Sequence, residues 1–576
     1  MNLKRTIFLV LASIILNIGL YAQTFSENYS YNPYDEPASE SCTTIMVGKN
    51  ASTDGSVMTA HSCDSNYRTW VTIEKRKKYA KGEMEPVFWG RLHTEEPLDV
   101  KGLSEKGKIP APEAETFSYL NTAYPCLNEK QLAIGEATLQ SKSSLINKEG
   151  LFLIEELERI ALQRCSTARD AIKLIGALAE KYGYADDGEC ITIADKKEVW
   201  ALEIYGTGKI NPDGTNAAAS KEVNEKIKKS KPKKLKKGEK DWNKSSAIWV
   251  AQRIPDDHVG INANISRIGK IDFDNPDYFM YSSDLKERLQ RMGLWDGKSE
   301  LKLYKMVSLM KPFSIREYYI LNKLAPSLGL KYDSEELPFS VKPDKKVSPQ
   351  MMFEFYRETY EGSEWDQVKN LSVEVPRRKK DENGNTINYK ETVYPISTFM
   401  PNDLRALLNK LKPDCAPRTR TVAVIQCSYS QVIQLRDWLP DEIGGVAYFS
   451  FDNPGQSPRI PIYAGETKLP KGFDVCGQWR YRQDAAIWAY RETNRIATIN
   501  WDKTRKILES KREYFEQNMM ERCPLIEKKA EELIKNGKKE EAIKVLNDYT
   551  EQIANATSKA WIDMKSDLWS IFARGL

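Results

Sequence analysis

Apolar and polar positions fall into short strand-length blocks through the first half of the chain and settle into a helical rhythm at its end. Residues 42–48 form a continuous run, Cys-Thr-Thr-Ile-Met-Val-Gly, and Asp54-Gly55 supplies a tight turn before a second run over 56–61, which together predict a hairpin. A turn beginning at Asn128 leads into another strand ending near Glu136. From 150 to 182 the apolar residues Phe152, Leu157, Ile160, Ala161, Ala168, Ile172, Ile175 and Leu178 recur at helical spacing, predicting one or two amphipathic helices. Strands are expected again over 188–195, 199–204, 247–253 and 259–262, and later over 420–425 and 445–451. Residues 284–390 mix helical stretches with a charged linker at 377–388 and are expected to elaborate the core. Residues 503–571 are rich in Lys, Glu, Ala, Ile and Leu, predicting a helical appendage broken at Pro524 and Gly537. Strands, helices and strands again describe an α+β layered fold.

The first forty residues follow a different pattern. Lys4-Arg5 precede an apolar stretch from Ile7 to Leu20, and Tyr21-Ala22-Gln23 offers a small residue for a signal peptidase, so an export signal is expected over 1–22 and a propeptide over 23–41. The apolar stretch is short for a membrane span, so no stable membrane anchor is expected and the protein is placed in the periplasm or outside the cell.

The chain has 576 residues, 41% of them hydrophobic and 10% aromatic, enough for a large core. Its 86 basic and 81 acidic residues nearly cancel, which argues against a nucleic-acid partner. The lysine-rich insert at 221–240 lacks interleaved aromatics and is read as a solvated loop. Three histidines, His61, His93 and His258, with no His-Glu-x-x-His or Cys-x-x-Cys spacing, leave little for a metal centre, and no metal or cofactor is expected. A Gly-x-Ser-x-Gly elbow and a phosphate loop are also absent. Nine cysteines are too sparse for a disulfide scaffold, and their odd number leaves at least one thiol unpaired.

Hydrolysis then falls to a cysteine, and Ser41-Cys42 is where one has a special use. If the chain is cut between them, Cys42 carries a thiol and a free α-amine on one carbon. That amine, with an ordinary pKa of about 7.7 to 8, is suited to accept the thiol proton near neutral pH. The thiol then attacks an amide carbonyl and forms an acyl-enzyme that water releases. The neighbouring Cys63 reads as a small buried residue.

Several motifs occur in a fixed order over four hundred residues: Cys42-Thr43-Thr44-Ile45 with Asp54-Gly55-Ser56, Asn128-Glu129, Trp200-x-x-Glu203-Ile204, Ala251-Gln252-Arg253-Ile254-Pro255-Asp256-Asp257, and Leu439-Pro440-x-x-Ile443-Gly444-Gly445 with Pro461-Ile462-Tyr463. Together they resemble the cysteine dipeptidases of the dipeptidase A family, within the N-terminal nucleophile (Ntn) hydrolases. The resemblance implies a four-layer αββα sandwich; the catalytic domain is expected over 42–500, with insertions at about 210–242 and 284–390, followed by a helical region over 501–576. It also implies autoprocessing at Ser41-Cys42 and hydrolysis of dipeptides or short peptides, with N-acyl amino acids or bile-salt-like conjugates as an alternative substrate class and an inactive surface binding protein as a second alternative.

By the same resemblance His61-x-x-Asp64 stands where related enzymes carry Arg-x-x-Asp, and Asp64 is expected to orient the terminal amine. His61 replaces a guanidinium and is assigned, with Asn128, to substrate binding. Asn264, preferred over Asn262, is expected to donate to the oxyanion, and Arg420, with Arg418 as the alternative match, to favour the thiolate. Asp256-Asp257 is expected to shape the pocket. The partner is a short peptide substrate, and homo-oligomerisation is left open.

Overall fold

A computed structural model describes residues 41–97, 103–208, 242 and 244–573. The segments expected to be an export signal and a propeptide, up to residue 40, and the whole lysine-rich insert at 221–240 lie outside the described residues. Within them the architecture is α+β, built on two stacked sheets.

The first sheet centres on β1 (Cys42–Val47) and β2 (Val57–Cys63), antiparallel, with Cys42 opposite Cys63 and Thr44 opposite His61. Both strands are buried along their whole length because they run through the middle of the sandwich. Asp54 closes the hairpin by accepting from the Ser56 backbone N–H and hydroxyl, and Gly55 takes the left-handed φ of 90° that the turn requires.

The second sheet contains β3 (Ala133–Leu139), β4 (Gly188–Ala194), β5 (Val199–Thr207) and β6 (Ser246–Arg253), side by side and antiparallel. β7 (Val259–Asn262) returns to the first sheet on the free side of β1, with Thr44 opposite Asn262. On the far side of β2 follow β8 (Tyr429–Leu435), β9 (Val446–Phe451) and β10 (Ile460–Tyr463). Each sheet carries helices, which gives the four layers. The second is covered by α1 (Ile154–Arg164) and α2 (Ala168–Tyr182); a Cβ on Gly176 of α2 would collide with the Trp249 ring of β6.

Between the sheets and the C-terminal helices come α3 (Ile315–Leu324) and then α4 (Ala486–Ala497). α5 (Trp501–Lys535) and α6 (Lys539–Ile571) pair with each other, and α4 and α6 pack on the first sheet; Thr550 of α6 donates to the Pro461 carbonyl of β10. A buried bidentate pair between Arg436 and Glu527 ties α5 to the end of β8. No helix among the described residues is long and apolar enough to cross a membrane.

Three expectations change. The chain at 421–425 is irregular, and the strand falls later, at Tyr429–Leu435, where Cys427-Ser428 had masked the alternation. Helix α5 runs through Pro524, which sits on its exposed face where water can serve the carbonyl freed at Met520; the break comes at Gly537, with φ 74°. The charged linker at 377–388 is an exposed two-stranded ribbon, Val373–Lys380 with Thr386–Val393, turned at Asn383-Gly384. All nine cysteines are buried free thiols.

Candidate active site

β1 begins at Cys42, and everything that holds this residue arrives from neighbouring strands and one distant helix. The Cys42 backbone nitrogen donates to Asn264 Oδ1 at 3.1 Å. Asn264 lies just past β7, in a left-handed conformation with φ 68° that a side chain other than Asn or Asp tolerates poorly. Its carboxamide orientation follows from its partners, since Arg316 Nη2 and the Cys42 nitrogen can only donate and must face oxygen. The amide nitrogen donates to the Thr138 carbonyl at 2.8 Å. Asn264 thus holds the Cys42 nitrogen rather than presenting a free donor to an oxyanion. Asn262 donates to Ile265 instead and does not meet Cys42.

The Ser41 side of the Ser41-Cys42 peptide bond is held equally firmly. The Asp64 N–H donates to the Ser41 carbonyl at 3.0 Å, and Arg420 Nη2 donates both to Ser41 Oγ at 2.9 Å and to Asp64 Oδ2 at 2.8 Å. Asp64 Oδ2 also accepts from Ser62 Oγ, which in turn accepts from the Thr43 N–H. Of the two arginines considered, Arg420 meets this network, whereas Arg418 is exposed. Asp64 reaches Ser41 with its backbone; its carboxylate is committed to Ser62 and Arg420.

The thiol itself donates to Glu136 Oε2 at 3.3 Å. Burial, followed by the charge of Glu136, pushes the Cys42 thiol well above its ordinary value, with the Asp64 N–H pulling the other way. Burial also raises the Glu136 carboxyl, so this side chain is a stronger base than a solvated glutamate. Nearby Glu158 and Glu189 are raised as well, chiefly by burial and then by Glu136.

His61 stands on β2 with its ring between those of Tyr124 and Tyr429, and its Nε2 lies 3.7 Å from Glu136 Oε2. Neither ring nitrogen has a hydrogen-bond partner, and burial lowers its pKa to about 3, which keeps the imidazole neutral. It sits beside the sulfur, fully enclosed.

Asn128 is elsewhere in the second sheet. Its amide donates to the Leu162 and Cys165 carbonyls and accepts from Lys130 and Leu132, leaving no free valence for a substrate. Asp256 packs against Gly48 and Ala51 at the opposite end of β1, so the Asp256-Asp257 pair does not shape the Cys42 site.

Two residues that motif reasoning passed over are central. Arg316, fully inside the protein, donates from Nη1 to the Cys42 carbonyl at 2.8 Å and to Thr43 Oγ1 at 3.1 Å, and from Nη2 to the Ala263 carbonyl at 3.0 Å and Asn264 Oδ1 at 2.8 Å. Its helix α3 opens with a Ser314/Glu317 capping box, and Glu317 also accepts from the Ala263 N–H. The Ser-x-x-Glu pattern was visible in the sequence and marks the helix start; the contact with Cys42, 274 residues away, was not. Glu136 is the other, hidden because it sits 94 residues from the thiol with no motif to join them.

This chain matches the family profile of peptidase family C69 over residues 41–514, a match that begins one residue before Cys42 and spans most of the chain. The protein belongs to peptidase family C69. It is therefore a cysteine-type peptidase, in agreement with the resemblance read from its motifs. Among its relatives are dipeptidase A of Lactobacillus helveticus, 21% identical over 513 residues covering 86% of this chain and 89% of that protein, and a probable dipeptidase of Latilactobacillus sakei, 24% identical over 443 residues covering 73% and 74%. A probable dipeptidase B of Lactococcus lactis is 22% identical over 546 residues, covering 91% of this chain and 94% of its own.

With Ser41 still attached, Cys42 in this C69 peptidase is wholly buried. A cavity of about 250 Å³ lined by residues including Arg68, Trp70, Glu155 and Arg159 does not have Cys42 in its wall.

Proposed function

We propose that the protein is an exported, autoprocessed cysteine dipeptidase whose nucleophile and base both reside on Cys42 once the Ser41-Cys42 bond is cut. The observation that carries this reading is the double clamp on that bond, with the Cys42 nitrogen on Asn264 Oδ1 and the Ser41 carbonyl on the Asp64 N–H.

Processing begins when Glu136 accepts the thiol proton and Sγ attacks the Ser41 carbonyl carbon. The developing oxyanion takes the Asp64 N–H. The C–N bond breaks, the Cys42 nitrogen gains a proton and becomes an amine, and water hydrolyses the thioester to release the residues ending in Ser41. In the mature enzyme the amine, held by Asn264, takes the thiol proton in place of Glu136, while Arg316 keeps Asn264 and the Cys42 carbonyl in register. The carbonyl of the substrate then occupies the position vacated by Ser41. Carboxylates beside the sulfur suit the free ammonium of a dipeptide better than the uncharged end of an N-acyl amino acid.

The test is N-terminal sequencing of wild-type protein and of Cys42→Ala, with hydrolysis assayed on dipeptides beside N-acyl amino acids. Wild type is expected to begin at Cys42 and to cleave dipeptides, and Cys42→Ala to remain uncut and inactive. An active wild type that retains Ser41 would refute the mechanism, and turnover of N-acyl amino acids alone would move the substrate to the acylase class. Fractionation of cells producing the full chain tests export, which predicts the protein outside the cytoplasm.

A further inference from the structure

We propose that Cys42, His61 and Glu136 together bind a divalent cation of the zinc class, and that the bound ion silences the nucleophile. Their ligand atoms, the sulfur, a ring nitrogen and a carboxylate oxygen, all lie within 4.8 Å of one another. Sγ to Oε2 is 3.3 Å and Nε2 to Oε2 is 3.7 Å. Zinc–ligand bonds of about 2.0 to 2.3 Å at tetrahedral angles separate neighbouring ligand atoms by roughly 3.3 to 3.8 Å, so the two pairs that share Oε2 already stand at the spacing an ion imposes, while the sulfur and the imidazole nitrogen, within 4.8 Å, draw together onto it.

The independent sign of a ligand is His61. Both of its ring nitrogens are buried without a hydrogen-bond partner, and Nε2 is turned toward the carboxylate. An orphaned polar group in a core costs about 1 to 3 kcal/mol, and a neutral imidazole with a free lone pair is the form that metals take. The surroundings point the same way. Glu158 has both carboxylate oxygens, and Glu189 one, buried without a partner, and Glu136 lies within electrostatic reach of both. Among the described residues no basic side chain is hydrogen-bonded to Glu136, so its oxygen is not already taken by a protein cation.

The donor set selects among ions. One sulfur, one imidazole and one carboxylate suit zinc or cobalt and are poor for magnesium or calcium, which prefer all-oxygen shells. A coordinated thiolate has its lone pairs engaged and its proton displaced, so it does not attack an amide. In a chain cut before Cys42 the α-amine adds a fourth ligand and closes a five-membered chelate with its own sulfur. That last step rests on the processing proposed above; the three-ligand site does not.

Cobalt titration of chelator-stripped wild-type protein tests the site directly, because a thiolate ligand gives an intense near-ultraviolet charge-transfer band whether or not the protein is cut or active. One ion per chain with that band is expected, with affinity at least tenfold weaker in His61→Ala and in Glu136→Gln, each checked for folding by circular dichroism. Cys415→Ser, in a satellite core away from the site, is expected to keep both band and affinity. Where the enzyme is active, cobalt or zinc is expected to inhibit hydrolysis with the midpoint of the titration, and magnesium to leave it unchanged. Binding without the band, or unchanged affinity in both folded variants, would overturn the proposal while leaving the peptidase reading intact.

Discussion

Replacing Arg316 with methionine probes how much of the site depends on a helix that no motif connects to Cys42. The guanidinium makes four hydrogen bonds around Cys42 and Asn264, and each charge-assisted bond is worth about 1.5 to 3 kcal/mol. Against this stands the cost of burying the charge. Burial lowers the Arg316 pKa from its ordinary value to about 10, equivalent to roughly 3 kcal/mol. Taking the low end for the four bonds, the net loss is about 3 kcal/mol, concentrated around Cys42. Arg316→Met is therefore expected to lower Tm by several degrees and to leave Asn264 Oδ1 and the Cys42 carbonyl free to move. Misplacement of about 1 Å in a reacting group costs on the order of 100-fold in rate, so uncut chain should accumulate and kcat of any cut protein should fall by about that factor. Arg316→Lys keeps the charge without the fork and is expected to fall between the two. Intact-mass spectrometry, thermal unfolding and dipeptide turnover read the three effects. Wild-type cutting and turnover in folded Arg316→Met would refute the argument that Arg316 positions Cys42.

Asp64→Asn removes the buried anion that balances partly buried Arg420, and should cost about 3 kcal/mol in stability and slow release of the leader, read by urea unfolding and intact mass; unchanged stability would mean the pair is replaceable. Asn264→Ala should lose both the acceptor for the Cys42 nitrogen and a comfortable left-handed backbone, whereas Asn264→Gly restores only the backbone. Both are expected to be inactive, with the glycine variant about 1 kcal/mol more stable by thermal unfolding, and an active glycine variant would dismiss the acceptor role. Burial raises the Glu466 carboxyl from its ordinary 4.5 to about 8, so its neutral form is favoured in the fold. The stability this gives is fully present below about pH 4.5 and is lost as pH rises through 8, on the order of 5 kcal/mol. Glu466→Gln should match wild type at pH 5 and exceed it at pH 9 in Tm; parallel curves would show the carboxyl to be charged throughout.

The β1–β2 hairpin, the α1–α2 pair, the β4–β5 hairpin and the long C-terminal helices were legible in the chain because each rests on neighbours within about a dozen residues: a turn residue, a period, a cap. Cys42 was legible too, since a cysteine opening a strand after a leader-like segment has a chemical use that few other positions share. Asp64 and Arg420 were named from resemblance, and their meeting at 2.8 Å is a property of β2 and the chain before β8 lying side by side. What the linear order could not carry was the environment. Whether Asn264 offers its oxygen or its nitrogen was decided by Arg316 from α3 and by the Thr138 carbonyl of β3. Whether Asn128 faces a ligand was decided by α1 taking all of its amide donors. Glu136 and His61 acquired their roles only when the two sheets closed over the sulfur and removed the water that would have satisfied them. Hydrogen-bond partners and dielectric are long-range consequences of packing, whereas turns, periods and caps are short-range consequences of covalent neighbours. That difference in range is why Cys42 could be singled out from the chain, whereas Glu136 and Arg316, which touch it in the fold, could not.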